Sequence, residues 1–136
     1  MLKVLIADDE EKICQLIIKL INWEEMGLKI AATASNGIEA LEQAKICKPE
    51  ILITDIRMPG IDGMELIRKV KEKLPDTEII IISGYRHFEY AQTAIRYGVR
   101  NYLLKPIKKE ELRDTLQKIA DIYREKNEQL NFEERV

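Results

Sequence analysis

The chain has 136 residues, of which 46% are apolar and 34% charged, with a formal net charge of −2. This length suits one compact domain with a real core, and the near-neutral charge gives no overall attraction to nucleic acid or membranes. No apolar run reaches membrane-spanning length, and the N-terminus enters a strand-like segment without signal-peptide features, so we expect a cytoplasmic protein without membrane contact.

The cysteine and histidine content excludes several kinds of site. Cys14 and Cys47 show no metal-ligand spacing, so we interpret them as reduced structural thiols on helix faces. His87 is the only histidine, which excludes His-rich metal sites and most nucleophile–histidine arrangements. We expect it at the surface.

Strand-like and helix-like patterns alternate along the chain. We predict strands at 4–7, 29–34, 51–54, 78–83 and 101–104. Helices are predicted at 11–21, from 37, from 63, at 88–97 and from 108 to about 130. The inner face of the first helix is predicted to carry Ile13, Leu16, Ile17 and Leu20. Asp62 is a predicted N-cap and Gly98 a predicted C-cap.

The order of these elements predicts a doubly wound α/β fold with a five-stranded parallel sheet and right-handed crossovers. Four consecutive isoleucines at 79–82 are typical of a strand buried on both faces. The second strand, 29–34, is the least apolar and suits an edge. The order 2-1-3-4-5 satisfies this and places the first and third strands side by side.

Chemically active side chains follow the predicted strands, at the sheet edge where ligands bind in open α/β folds. Asp8 and Asp9 follow the first strand, Asp55 the third and Lys105 the fifth. Three converging carboxylates repel one another and require a hard divalent cation such as Mg²⁺. A carboxylate beside such a metal can accept a phosphoryl group, with Lys105 pairing with its charge. Ser83 could donate to a phosphoryl oxygen only if its loop moved inward.

Four motifs, each at the end of a predicted strand, resemble those of response-regulator receiver domains of two-component systems. They are LIADDE at 5–10, DIRMPGIDG at 55–63, ISGY at 82–85 and YLLKP at 102–106. Each is weak alone, but all four in this order are highly specific. The resemblance covers roughly residues 2–122 and implies a flavodoxin-like receiver fold.

The resemblance also implies the chemistry of the site. Asp55 would take a phosphoryl group from a histidine of a sensor kinase. Asp9 and Asp55 would ligate Mg²⁺ directly, Asp8 would reach it through water, and the backbone carbonyl of Arg57 would add a ligand. The only activity expected is Mg²⁺-dependent self-phosphorylation and autodephosphorylation.

A switch is implied in the same way. Ser83 and Lys105 would contact the phosphoryl oxygens, and Ser83 together with Tyr102 would form the switch. Receivers that this chain resembles have a cis bond at Lys105-Pro106, which would aim Lys105 into the pocket. The surface of the fourth helix, fifth strand and fifth helix would carry homodimer or output contacts.

A finer resemblance at 22–28 and 83–91 is to receivers joined to AraC-type DNA-binding domains. The chain shows no basic, base-reading helix, so DNA contact would need an output domain absent from it. We interpret residues 1–122 as the receiver and 123–136 as a helical overhang or linker. The alternative is a free-standing regulator acting through protein contacts.

The last helix carries one apolar stripe: Leu112, Leu116, Ile119 and Tyr123. Core packing is the ordinary explanation of this stripe. The spacing continues to Lys126 and Leu130, and Arg124 and Glu128 stand four apart on a helix that would extend beyond the sheet.

Three other functions remain alternatives. A haloacid-dehalogenase-type phosphohydrolase needs an acid two residues after its nucleophile, where this chain has Arg57. A flavodoxin-like flavin binder would present hydroxyls and amides where Asp8 and Asp9 would repel phosphate. A pseudo-receiver would lack part of the acidic and lysine set that is complete here.

Overall fold

Five parallel strands form one sheet in the order β2-β1-β3-β4-β5, which confirms the predicted topology. The computed structural model describes residues 1–84 and 88–135, so His87, predicted at the surface, lies outside the described residues. The strands are β1 (Leu2–Ala7), β2 (Leu28–Ala34), β3 (Ile51–Thr54), β4 (Glu78–Ser83) and β5 (Asn101–Leu104). The helices are α1 (Glu11–Leu20), α2 (Gly37–Cys47), α3 (Gly63–Lys73), α4 (Phe88–Arg96) and α5 (Lys109–Arg135).

The register of the central strands brings the predicted site residues together. β1 and β3 pair from Val4↔Ile51 to Ala7↔Thr54, so the residues that follow, Asp8 and Asp55, leave the sheet side by side. On the other side of β3, the end of β4 pairs with the end of β5 through Ser83↔Leu104. The acidic residues, Ser83 and the start of the Lys105 turn therefore lie at one edge of the sheet.

The core has two layers, one on each face of the sheet. Ile80 and Ile82 of β4 pack in the layer that includes residues of α1 and α5. Ile79 and Ile81 pack in the opposite layer, with residues of α2, α3 and α4. All four are at most 2% exposed, as the isoleucine run predicted. Transfer of each from water contributes roughly 1.5–3 kcal/mol.

The inner face of α1 differs from the prediction at one position. Leu16 is 42% exposed, whereas Cys14 and Ile17 are buried. Residues three apart share a helix face, and Leu16 lies about 100° around the helix from Ile17 and about 200° from Cys14. The small thiol of Cys14 therefore occupies the inner position that the prediction gave to leucine. Both cysteines are free.

Helix ends largely follow the predicted signals. The Asp62 side chain accepts a hydrogen bond from the Glu65 N–H at 2.9 Å, as an N-cap does. Gly98 follows α4 with a φ of +84°, in the left-handed region that favours glycine. The final helix begins one residue later than predicted and continues past Leu130 to Arg135. In the described residues, no helix combines the length and apolar character needed to cross a bilayer.

Candidate functional site

The predicted acidic residues form one cluster at the C-terminal edge of the sheet. Asp8, Asp9 and Asp55 each offer a carboxylate oxygen, and these oxygens lie within 4.8 Å of one another. An open cleft of about 410 Å³ reaches this cluster. Its lining residues are Asp9, Glu10, Asp55, Arg57, Gly84 and Lys105. Glu10 was not among the predicted site residues, although the sequence places it directly after the acidic pair.

Asp55 makes close polar contacts with both of its oxygens. Its Oδ2 accepts a hydrogen bond from the Lys105 Nζ at 2.8 Å, and its Oδ1 accepts one from the Ile56 N–H at 2.6 Å. The side chain is only 8% exposed. Hydrogen bonds from an ammonium and an amide satisfy the buried charge and fix the orientation of the carboxylate.

Lys105 bridges two of the acids, because its Nζ also donates to Asp8 Oδ2 at 3.2 Å. Burial opposes the charged form of this lysine, but the hydrogen bond and charge of Asp55, with those of Asp8, raise its pKa overall. The side chain is therefore a fixed cation at neutral pH. The Lys105-Pro106 bond is cis, as predicted.

The two acids that follow β1 differ in exposure. Asp8 is 3% exposed, and its Oδ1 accepts from the Glu10 N–H at 2.9 Å, whereas Asp9 is exposed at the cleft. Burial raises the pKa of the Asp8 carboxyl, although the Glu10 N–H and Lys105 act in the opposite direction. A divalent cation would favour the ionised form of this carboxyl.

This donor set fits Mg²⁺. Three carboxylates supply hard oxygen ligands, and the open side of the cleft leaves room for the waters that Mg²⁺ usually retains. Arg57 lines the same cleft, and its backbone carbonyl is the group that the prediction names as a further ligand.

Ser83 and Tyr102 are in contact beside the acidic cluster. Ser83 is fully buried at the end of β4. Burial raises the pKa of the Tyr102 phenol, its side-chain hydrogen bond with Ser83 lowers it, and the charge of Asp55 raises it further. The hydroxyls of the two predicted switch residues therefore face each other, close to Asp55.

Two glycines pack closely against the loop after Asp55, and they were not among the predicted site residues. A Cβ on Gly63 would lie 2.2 Å from the Asp55 carbonyl oxygen. The N–H of Gly63 donates a hydrogen bond to the Ile56 carbonyl at 2.5 Å. A Cβ on Gly37 would lie 2.0 Å from the Ile61 carbonyl oxygen. The starts of α2 and α3 thus approach the loop backbone more closely than any side chain allows. The pairs Asn36-Gly37 and Asp62-Gly63 were the available sequence signals.

Comparisons with known proteins agree with this geometry. The family model described as the response regulator receiver domain matches residues 4–117. The chain is 40% identical to the transcriptional regulatory protein YesN of Bacillus subtilis over 139 residues, 98% of this chain and 38% of that protein. It therefore spans well under half the length of this curated relative.

Solved structures give the same result. The receiver domain of the response regulator AraT from Geobacillus stearothermophilus has a TM-score of 0.88 and 41% identity, covering 93% of this chain and 98% of that one. A two-component transcriptional regulator AraC from Clostridium phytofermentans has a TM-score of 0.82 and 36% identity, covering 89% and 94%. With the family model matching most of its length, this chain belongs to the response regulator receiver domain family.

Proposed function

We propose that Asp55 is the phosphoacceptor of this receiver domain, and that Asp8, Asp9 and Asp55, with the carbonyl of Arg57, hold Mg²⁺ beside it. The observation that carries the proposal is the Asp55–Lys105 contact of 2.8 Å inside the three-carboxylate cluster. A nucleophile, a cation for the incoming charge and an acidic metal site then lie in one cleft.

The transfer step follows from these positions. An Asp55 carboxylate oxygen attacks the phosphorus of a phosphohistidine, the P–O bond forms and the P–N bond breaks. The electron pair of the broken bond returns to the imidazole of the donor, and the product is an acyl phosphate on Asp55. Bound Mg²⁺ would supply charge neutralisation for the phosphoryl oxygens.

Lys105 has a role both before and after phosphoryl transfer. In the unphosphorylated domain its ammonium pairs with Asp55 and Asp8. When one Asp55 oxygen becomes esterified, that oxygen loses its charge and the ammonium moves to the phosphoryl oxygens. Its raised pKa keeps it charged throughout the physiological range. Hydrolysis of the acyl phosphate would restore the unphosphorylated domain, which is the autodephosphorylation that we expect.

The switch uses the contact between Ser83 and Tyr102. We propose that the Ser83 hydroxyl turns to the phosphoryl group and gives up its hydrogen bond with Tyr102. Tyr102 then turns inward into the vacated space. Because Tyr102 is on β5, its movement changes the surface formed by α4, β5 and α5, where Ile95 is 70% exposed. This surface would bind a second copy or an output domain.

Transcriptional control is part of the proposal, because the relatives YesN and AraC are named as transcriptional regulators. We propose a sensor histidine kinase as the phosphodonor and a DNA-binding output domain outside this chain as the effector. Residues 1–122 would be the receiver and 123–136 the connection, in a cytoplasmic protein. A free-standing regulator acting through protein contacts is the alternative.

The test is phosphorylation with acetyl phosphate and Mg²⁺, followed by intact mass. The wild-type domain should gain one phosphoryl group of about 80 Da, as a carboxylate nucleophile predicts. Asp55→Asn should gain none, because an amide is a poor nucleophile, and chelation of Mg²⁺ should suppress the gain. Asp76→Asn is the matched control, since Asp76 is exposed before β4 at the opposite edge of the sheet. Undiminished labelling of Asp55→Asn would refute the proposal.

A further inference from the structure

The edge of the sheet opposite Asp55 carries a set of contacts around Tyr123 that the proposed function does not use. The Tyr123 hydroxyl lies against two backbone carbonyls, at 3.1 Å from that of Glu50 and in a shorter contact with that of Asp76. Glu50 belongs to the loop between α2 and β3, and Asp76 to the loop between α3 and β4. One phenolic proton therefore serves two acceptors on two different loops.

The two loops are also hydrogen-bonded to each other, so the two carbonyls that accept from this hydroxyl are held in place without it. The Thr77 Oγ1 donates to the Pro49 carbonyl at 2.7 Å, and the Glu78 N–H donates to the Glu50 carbonyl at 2.8 Å. Thr77 and Glu78 are buried. The positions of the two acceptors are thus set by the sheet and its loops rather than by α5.

The surroundings of Tyr123 keep it a donor. Burial raises the pKa of its phenol to about 12, with further contributions from the carboxylates of Glu78, Glu50 and Asp76. The hydroxyl therefore stays protonated at every physiological pH. The Lys126 ammonium lies 5.7 Å from the centre of the ring, on the following turn of the helix.

Tyr123 lies where α5 passes from buried to exposed side chains. Leu112, Leu116 and Ile119 are buried in the core, whereas the side chains at 124–128 are exposed. An exposed polar helix end gains little stability from packing and is marginal in water, so a hydrogen bond at its start can fix its direction. The Tyr123 hydroxyl is bonded to the domain at the start of this exposed segment.

We propose that Tyr123 is a positioning residue, whose hydroxyl bonds α5 to the two loops and so fixes the direction in which residues 124–135 leave the domain. This role does not depend on phosphorylation, and its test uses the unphosphorylated protein. The proposed function and this inference therefore fail independently.

The first measurement is amide hydrogen exchange in Tyr123→Phe. This change removes the hydroxyl but keeps the ring and its contact with Lys126. Exchange at 124–128 should become about fivefold faster, the factor equivalent to a typical net hydrogen bond. Exchange in β4 should not change. Arg124→Gln is the control, because the pair of Arg124 with Asp121 at 3.6 Å is exposed and should matter little.

The second measurement reports direction. Time-resolved energy transfer is recorded from Trp23, the only tryptophan, to a dye on Asn127→Cys. The background carries Cys47→Ser, which keeps the backbone carbonyl that Lys3 contacts. Cys14 is buried, and burial raises the pKa of its thiol, which disfavours labelling there. The distance distribution should be narrow with Tyr123 and broader with Tyr123→Phe.

Two results would overturn the inference. Unchanged exchange and an unchanged distance distribution in Tyr123→Phe would show that packing of Leu116 and Ile119 alone directs the helix. Exchange that accelerates equally in β4 and at 124–128 would show that the hydroxyl stabilises the whole fold without positioning the extension.

Discussion

Lys105→Met removes the cation that two buried carboxylates share, and its effect on stability can be worked out from the site. The lysine ammonium lies 2.8 Å from Asp55 and 3.2 Å from Asp8, whose side chains are only 8% and 3% exposed. Breaking a buried pair by removing one partner costs about 3–5 kcal/mol in general. The open cleft and the 20% exposure of Lys105 reduce this, so we expect a loss of about 2 kcal/mol at pH 7.

The loss should depend on pH with a definite sign. Burial already raises the pKa of Asp8 in the folded wild type, and removal of Lys105 raises it further. Where folded Asp8 of the variant takes up a proton that the unfolded chain does not, stability increases as the pH falls. Protonated Asp8 no longer repels Asp55, so the loss should be smaller at pH 5 than at pH 7. In the wild type, the contribution of the Lys105 charge is fully present across this range, because its folded pKa is raised.

Urea unfolding of the two proteins at pH 7 and pH 5, without and with Mg²⁺, measures this effect. Mg²⁺ should stabilise Lys105→Met more than the wild type, since it supplies the missing positive charge. Lys108→Met is the control, because Lys108 is an exposed lysine three residues further along. Equal losses at both pH values, or an equal loss in the control, would refute this electrostatic reasoning.

Four further variants, one of them a control, test other contacts of the molecule. Gly63→Ala should cost about 3 kcal/mol in urea unfolding, because its Cβ would meet the Asp55 backbone at 2.2 Å. Gly84→Ala has open space and should change stability by less than about 0.5 kcal/mol, so similar losses would disprove the steric explanation. Ser83→Ala should keep phosphorylation of Asp55, read by intact mass, but abolish the output response in a reporter assay; normal signalling would exclude the switch. Truncation after Tyr123 removes residues 124–136, of which 124–128 are exposed, and keeps the Tyr123 hydroxyl bonds, so the free energy of unfolding should change by less than about 1 kcal/mol; a large loss of thermal stability would assign the segment to the core.

Much of the fold follows from short-range pattern, because parallel strands buried on both faces need nearly continuous apolar runs. The isoleucines at 79–82 and the weaker pattern at 29–34 were enough to predict an interior strand and an edge strand. The prediction for the inner face of α1 was wrong at Leu16, because Leu16 and Cys14 both fit a helical spacing with neighbouring residues. Only the tertiary packing decides which face turns inward.

The sequence predicted which residues form the acidic cluster, but not how deeply each of them is buried. Asp8 and Asp9 are adjacent and chemically identical in the sequence, yet one is buried against Lys105 and the other is exposed. That difference arises from the direction in which each side chain leaves β1. The pairs Asn36-Gly37 and Asp62-Gly63 mark helix starts in the sequence, but the close approach of these glycines to the loop depends on tertiary packing.

The central claim is that phosphorylation occurs on the Asp55 carboxylate, and borohydride trapping tests it most directly. An acyl phosphate is reduced by borohydride to an alcohol, so phosphorylated aspartate becomes homoserine, which peptide mass spectrometry locates by position. After treatment with acetyl phosphate and Mg²⁺, we expect homoserine at position 55 and unmodified Asp8 and Asp9. Homoserine at 8 or 9, or a phosphoryl group that resists borohydride, would contradict the account.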